Sequence, residues 1–275
     1  MNVNCVGIMD HDYHTIQFQM DQGIGYLRFA RPEANNTIND QLIRECCQAL
    51  AIHGESLRIL VLEGSPEVFC FGADLHNRVW HAHETGSGSP LEDCEVSEDP
   101  EALYDLWQQL ATGPYVTIAH VQGKANAGGI GFVAACDIVL ADEKAVFSLS
   151  ELLFGLYPAC VLPFLVRRIG YQKAHYMTLM TQPIQAAEAH RWGLVDAFHT
   201  NSADLLRKHL LRLRRLSKEG IRCYKDYMSS VATFLAASKT QAVQANKAMF
   251  SDPENLANLS RFVETGQFPW DTQEN

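Results

Sequence analysis

The sequence predicts an α/β fold followed by a helical C-terminal region, and three observations support this. Apolar residues alternate along 15–20 and 24–30 on either side of a short Gly-containing turn, which predicts a β-hairpin. Short apolar runs typical of buried strands then alternate with runs of helical periodicity. From Pro163 onward the pattern is helical. We therefore predict a core over 1–198 and a C-terminal helical region over 199–275.

The remaining elements follow from local patterns. After the hairpin, Asn39 or Asp40 can N-cap a helix whose apolar positions include Leu42 and Leu50. A run rich in Gly, Ser, Pro and acidic residues over 84–100 predicts a surface loop. The other strands are expected at 58–62, 68–71, 116–121, 137–141 and 145–147. The other helices are expected at 101–110, 130–136, 174–180, 185–192, around the leucines of 206–213, at 233–249 and at 253–265.

Composition excludes several classes of protein. The chain has 275 residues, 47% of them hydrophobic, which is enough to bury a sizeable core. A formal net charge of −10 disfavours nucleic acid and anionic membranes as partners. No apolar run could cross a bilayer and no signal peptide pattern occurs, so we expect a cytoplasmic protein. The eight cysteines are irregularly spaced and no cluster of metal ligands occurs, which predicts reduced thiols and no metal.

Two turns of small residues each lie between a strand and a helix. The first is Gly72-Ala73-Asp74 and the second is Ala127-Gly128-Gly129. Such a turn at a helix N-terminus leaves backbone N–H groups free. Two of them could direct two donors at one point, as in an oxyanion hole. The alternative is that the glycines only allow a helix and a strand to pack closely.

Glu151 lies in an apolar context, Phe147-Ser-Leu-Ser-Glu-Leu-Leu-Phe154. Partial desolvation should raise the pKa of this carboxyl group and suit it to proton transfer. The alternative is an ordinary carboxylate on the surface of a helix.

Several motifs occur in a fixed order along residues 14–265, and together they resemble the crotonase (enoyl-CoA hydratase/isomerase) superfamily. They are Arg31-Pro32 with Asn36-Thr-Ile38, Phe71-Gly72-Ala73-Asp74, Val121-Gln-Gly123 through Gly129, Cys136-Asp137-Ile138, the segment Phe147 to Pro158, and Glu188-Ala189 with Trp192-Gly-Leu-Val195. The resemblance implies a crotonase fold, a spiral of ββα units with a C-terminal all-helical region that forms trimers, often paired into hexamers. It also implies an acyl thioester substrate and no separate cofactor.

The resemblance assigns catalytic roles to three residues, and it shows that one catalytic residue of the family is missing from this chain. Ala73 and Gly128 would supply the two oxyanion N–H groups, and Glu151 would be the second catalytic glutamate. The first glutamate of the family falls twenty positions earlier, where this chain has Gly131. Because a glycine cannot transfer a proton, hydration by two glutamates is not expected.

Within this superfamily, the segments 66–74, 123–133 and 148–164 together resemble the crotonase-like dehydratases of polyketide β-branching cassettes. This implies dehydration of a 3-hydroxy-3-methylglutaryl-type thioester on an acyl carrier protein to the 3-methylglutaconyl thioester. A Δ3,Δ2-enoyl-thioester isomerase that uses one glutamate fits Gly131 and Glu151 equally well. A non-catalytic subunit of a synthase complex is a third alternative.

The proton for the leaving hydroxyl group has several candidate sources. Glu151 could return the proton it has taken, Tyr157 or Asn126 could hydrogen-bond the leaving group, or a water could occupy the space beside Gly131.

Basic residues could bind the free carboxylate of the substrate or the carrier protein. Lys124 and His120 could pair with that carboxylate, although the first could be solvated and the second a core residue. The basic residues between Arg207 and Lys225 could attract an acidic carrier protein, or they could form a solvated helix face.

Overall fold

Two β-sheets organise the computed structural model, which describes residues 13–74 and 100–271. The larger sheet has six strands in the order β1-β2-β3-β5-β7-β10, and only the β1–β2 pair is antiparallel. The smaller has four in the order β4-β6-β8-β9, with β9 antiparallel. The strands are β1 Ile16–Asp21, β2 Ile24–Phe29, β3 Ile59–Glu63, β4 Val68–Cys70, β5 Val116–Val121, β6 Lys124–Asn126, β7 Ile138–Asp142, β8 Val146–Ser148, β9 Ile184–Gln185 and β10 Ala197–His199.

The chain alternates between the two sheets, which gives the predicted spiral of ββα units. Strands β3, β5 and β7 lie in the larger sheet, and β4, β6 and β8 follow each of them in the smaller one. The helices are α1 Asp40–His53, α2 Pro100–Thr112, α3 Gly128–Ala135, α4 Leu162–Met180, α5 Ala186–Trp192, α6 Ser202–Leu213, α7 Lys218–Val231, α8 Phe234–Phe250 and α9 Pro253–Thr265.

The large sheet is covered on both faces. On one face, Leu206 and Leu210 of α6 pack against apolar strand residues that include Ile59, Val61 and Ile118. On the other face, α1, α2 and α3 contribute to the main core, in which Trp107 is 1% exposed. Strands buried on both faces explain the continuous apolar runs in the sequence.

Most predicted elements are present, but the short strands β6, β9 and β10 were not expected, and two helices differ from the prediction. The helix expected at 174–180 begins earlier, at Leu162, and bends at Gly170, whose φ is +75°. Helix α7 was not expected, and Ser217 caps it by accepting a hydrogen bond from the N–H of Gly220. Much of the predicted loop over 84–100 lies outside the described residues, and the division at residue 198 remains a prediction. Within the described ranges no helix is long and apolar enough to cross a membrane.

The basic residues between Arg207 and Lys225 were expected on an exposed helix face, and this expectation is wrong for Lys225. Lys225 is 4% exposed, and its Nζ lies 2.5 Å from Oδ1 of Asp137 and 2.9 Å from the carbonyl oxygen of Ala111. Arg207 and Lys208 are both paired with Asp204 on their own helix. Two cations therefore share one carboxylate on α6, whereas Lys225 fastens α7 to the core.

Replacing Lys225 with methionine should lower the free energy of unfolding by about 3 kcal/mol, because Asp137 would lose its buried partner. Chemical denaturation would measure this. The matched control is Lys208→Met, which breaks an exposed ion pair and should cost less than about 1 kcal/mol. Equal losses in both variants would contradict a structural role for the buried pair.

Candidate active site

The two small-residue turns lie against each other. A Cβ placed on Gly72, whose φ is +93°, would lie 2.8 Å from the Cβ of Ala127 and 3.2 Å from the backbone nitrogen of Gly128. A Cβ placed on Gly128 would lie 3.9 Å from the nitrogen of Ala73. The close approach of the two turns therefore requires glycine at residue 72. This approach brings the backbone nitrogens of Ala73 and Gly128 near each other.

Both nitrogens are available as donors. Ile38 bridges to Ala73 by donating to the carbonyl of Gly72 and accepting from the N–H of Asp74, which leaves the Ala73 N–H outside the bridge. Gly128 is the first residue of α3, so its N–H has no acceptor in the preceding turn of the helix. Among the described residues neither N–H has a protein acceptor. The pair can stabilise a negatively charged oxygen.

Polar contacts hold the first turn in position. Nη2 of Arg31 lies 2.8 Å from Oδ2 of Asp74, and its Nη1 donates to the carbonyl of Thr37. Asn36 is fully buried, and its Nδ2 donates to the carbonyl of Val68 at 2.9 Å. The Arg-Pro motif thus braces the strand that leads into the turn.

The second turn contains a strained residue. Ala127 has φ +49° and ψ −120°, a conformation that favours glycine and costs of order 1–3 kcal/mol for other residues. Its N–H donates to the carbonyl of Ser148 at 3.1 Å, which fixes the turn to β8. The surrounding strands therefore impose this geometry on an unfavourable residue.

Glu151 follows β8 at the same edge of the small sheet at which β6 leads into the second turn. Strands β6 and β8 are parallel, and Asn126 is in register with Ser148. Glu151 is partly exposed as a residue, but its Oε2 has almost no accessible surface and no hydrogen-bond partner among the described residues. Burial raises the pKa of this carboxyl group to about 7, although backbone N–H groups of Glu151 and Ser150 oppose the shift. The predicted desolvation is confirmed, and the group can accept and return a proton near neutral pH.

Asn126 connects the second turn to the Glu151 segment. It is 7% exposed, its Nδ2 donates to Oγ of Ser150 at 3.0 Å, and its Oδ1 accepts from Oγ of Ser148 at 2.7 Å. The amide is thus engaged with two serines and orients the residue that precedes Glu151. This placement favours a positioning role over direct contact with substrate.

Replacing Asn126 with aspartate should move the ascending limb of the pH profile of kcat/KM to higher pH. A second carboxylate beside the Glu151 segment disfavours ionisation of Glu151, and a shift of one pH unit lowers activity at neutral pH by up to about tenfold. Asn126→Ala removes both serine contacts without adding charge and serves as the control for the loss of the amide. A limb at the same pH in the aspartate variant and the wild type would contradict the proposed coupling.

Trp107 occupies the space beside Gly131. A Cβ placed on Gly131 would lie 2.5 Å from Cη2 and 2.6 Å from Cε2 of the indole ring. The ring also makes edge contacts with Phe132 and Phe164. The expectation that a water could fill this space was wrong, because an aromatic ring already fills it. The sequence showed that the first glutamate is missing, but not what replaces it.

Replacing Gly131 with alanine should lower the free energy of unfolding by about 1–3 kcal/mol, because the added methyl group overlaps the indole ring. A double variant with Trp107→Phe should recover part of this loss, since the smaller ring makes room. Denaturant titration of the single and double variants measures the coupling. Additive losses would show that the two positions do not compete for space.

Three of the suggested site residues, His120, Lys124 and Tyr157, have surroundings other than the two turns. His120 is 3% exposed and bonds Oε1 of Glu63 at 2.8 Å, and alternate residues of its strand face α6 rather than the turns. Lys124 is exposed at the start of β6. Tyr157 is 42% exposed and lines a groove between α4 and α8 of about 450 Å³. Neither His120 nor Lys124 is brought to the turns as a partner for a substrate carboxylate.

No group of three or more metal-ligating side chains occurs in 13–74 or 100–271. The groups described above are two backbone donors, one carboxyl group with a buried oxygen, and the indole ring beside Gly131. This arrangement suits removal of a proton next to a thioester carbonyl, with the donors stabilising the enolate oxygen.

Comparison with known proteins agrees with this geometry. Residues 19–273 match the enoyl-CoA hydratase/isomerase family, and the chain belongs to that family. It is 57% identical over 262 residues to the bacillaene synthase dehydratase PksH of Bacillus subtilis, with 95% of this chain and 98% of that protein covered. It is also 30% identical over 201 residues to the 1,2-epoxyphenylacetyl-CoA isomerase of Escherichia coli, with 70% and 74% covered.

Solved structures support the same conclusion. The crystal structure of the Bacillus subtilis polyketide biosynthesis enoyl-CoA hydratase PksH matches with a TM-score of 0.87 at 58% identity, and covers 94% of this chain and 100% of that one. The predicted crotonase fold is confirmed. The prediction of an enzyme of the lyase class is confirmed as well, since these relatives are named a dehydratase and an enoyl-CoA hydratase.

Proposed function

We propose that this enzyme dehydrates a 3-hydroxy-3-methylglutaryl-type thioester, carried on an acyl carrier protein, to the 3-methylglutaconyl thioester. The observation that carries the proposal is the carboxyl group of Glu151, whose pKa is raised to about 7. Glu151 follows β8 at the edge of the small sheet where β4 and β6 lead into the turns with the two backbone donors. The 57% identity to a dehydratase of a polyketide synthase supports this substrate class.

The thioester carbonyl would lie between the N–H groups of Ala73 and Gly128. The carboxylate of Glu151 takes the proton from the carbon next to the carbonyl, and negative charge accumulates on the carbonyl oxygen. As the carbon–carbon double bond forms, the bond to the β-hydroxyl group breaks. Glu151 then returns its proton to the departing oxygen, which leaves as water. One carboxyl group with a pKa near 7 can serve both steps at neutral pH.

The thioester would be held by the phosphopantetheine arm of the carrier protein or by coenzyme A, and the proposal needs no separate cofactor. The partner would be an acyl carrier protein of a polyketide synthase. The exposed Arg212 and Arg215 leave positive charge on and just after α6, which an acidic carrier protein could contact. We also propose a homotrimer or a hexamer, because α4 and α7 expose large apolar residues that include Tyr171, Leu179 and Tyr227.

The isomerase remains a second candidate, because Gly131 with a single glutamate also suits movement of a proton along an enoyl chain. Intact-mass analysis separates the two. We expect the wild-type chain to remove one water from an acyl carrier protein loaded with 3-hydroxy-3-methylglutaryl. An unchanged mass, together with conversion of a 3-enoyl to a 2-enoyl thioester, would overturn the dehydratase and support the isomerase. The same substrate loaded on coenzyme A tests whether the carrier protein is required.

A further inference from the structure

We propose that the indole N–H of Trp107 hydrogen-bonds the departing hydroxyl oxygen of the substrate, on the basis of its place beside Gly131 and the lack of a protein acceptor. The inference rests on the proposed dehydration and assigns a residue to the leaving group, which the proposed mechanism otherwise leaves to Glu151 alone.

The first argument is position. Gly128 and Gly131 are three residues apart on α3, so they share one face of the helix at its first turn. The indole ring lies against that face, with Cε2 2.6 Å from where a Cβ on Gly131 would be. Nε1 is covalently bonded to Cε2. The indole therefore takes the place of a side chain at residue 131, next to the helix end that supplies an oxyanion donor.

The second argument is the unsatisfied donor. Trp107 is 1% exposed, and its Nε1 has no acceptor within residues 13–74 and 100–271. A buried N–H without an acceptor is unfavourable, and buried tryptophans usually have a hydrogen-bond partner. Phenylalanine would fill an apolar core without this cost. A substrate oxygen would supply the missing acceptor during turnover.

The third argument is complementarity with Glu151. Oε2 of Glu151 is also buried without a hydrogen-bond partner, so Nε1 of Trp107 and Oε2 of Glu151 do not bond each other. The carboxylate oxygen of Glu151 is an acceptor, and the indole N–H of Trp107 is a donor. Dehydration requires an acceptor for the α-proton and a donor toward the hydroxyl group that leaves. An indole N–H is too weak an acid to give up its proton, so the proton of the released water still comes from Glu151, and Trp107 contributes a hydrogen bond only.

The test is replacement of Trp107 by 3-benzothienylalanine, in which sulfur replaces the N–H and the ring volume is kept. Two rates are measured on a carrier protein: loss of water from the 3-hydroxy-3-methylglutaryl thioester, and exchange of the α-proton with D₂O in the 3-methylglutaryl thioester, which has no hydroxyl group. The same replacement at Trp192, which is partly exposed and packs against Tyr176, is the matched control.

We expect dehydration to fall by about tenfold to a hundredfold, with α-proton exchange unchanged and the Trp192 control equal to wild type. Unchanged dehydration would show that the N–H has no role in the reaction. An equal fall in both rates would mean that Trp107 acts through Glu151 or through the fold, and would overturn the inference. If the wild type exchanges the α-proton but releases no water, the proposed dehydration fails, and the inference fails with it.

Discussion

Replacing Glu151 with glutamine should lower the rate of dehydration by about 10²–10⁴-fold, because the substitution removes the only group that we assign to proton transfer. Binding of the thioester should persist, since the backbone donors of Ala73 and Gly128 are untouched. The measurements are turnover on the loaded carrier protein and affinity for a non-reactive thioester. Glu143→Gln, at an exposed residue after β7, is the control and should retain full activity.

The pH dependence of the wild type follows from the same residue. Glu151 must be ionised to accept a proton, so kcat/KM should rise with pH and level off above its pKa of about 7. Because the pKa is raised in the folded state, the protonated form contributes stability at low pH that is lost as the pH rises from 4.5 to about 7. Glu151→Gln should therefore be at least as stable as the wild type at pH 8, with a smaller difference at pH 5. A variant that is unfolded at pH 8 would contradict this account.

Replacing the N–H of Ala73 by an ester oxygen should lower kcat by about 10²–10³-fold, the cost of losing one oxyanion donor. Lactic acid incorporated at residue 73 makes this change while keeping the methyl side chain. The N–H of Asp74 still donates to Ile38, but the Gly72 carbonyl becomes an ester carbonyl and accepts more weakly from the N–H of Ile38.

The control for the ester variant is lactic acid at Ala51, an exposed residue of α1. That change removes one helical hydrogen bond and should reduce stability by about 1 kcal/mol without affecting kcat. Equal activities for the two ester variants would show that the Ala73 N–H does not contact the developing oxyanion.

Local sequence signals were sufficient for the parts of the site that are built from contiguous residues. Each small-residue turn, its preceding strand and the apolar surroundings of Glu151 are visible within about ten residues of sequence. The alternation of strands and helices predicted an α/β fold, and the resemblance to the crotonase superfamily supplied the ββα units. That Gly72 and Gly128 meet depends on the order of strands in the small sheet, which the resemblance supplied and local patterns did not.

Contacts between distant segments could not be read from local patterns. Gly131 signalled a missing glutamate, but its neighbour Trp107 lies on another helix, and only the packing of α2 on α3 brings them together. Lys225 resembled a surface charge because nothing near it in sequence shows its bond to Asp137. His120 failed as a ligand because side chains alternate along a strand, and its side chain lies on the face that does not carry the turns.

The central claim is that one buried carboxyl group, poised near neutral pH, performs the proton transfers. Its most direct test is a pH titration by infrared difference spectroscopy, with the spectrum of Glu151→Gln subtracted from that of the wild type. We expect the carboxylic acid band of Glu151 to disappear with a midpoint near pH 7. A midpoint near 4.5, the ordinary value for a glutamate, would show that the group is already ionised in solvated surroundings and would contradict the account.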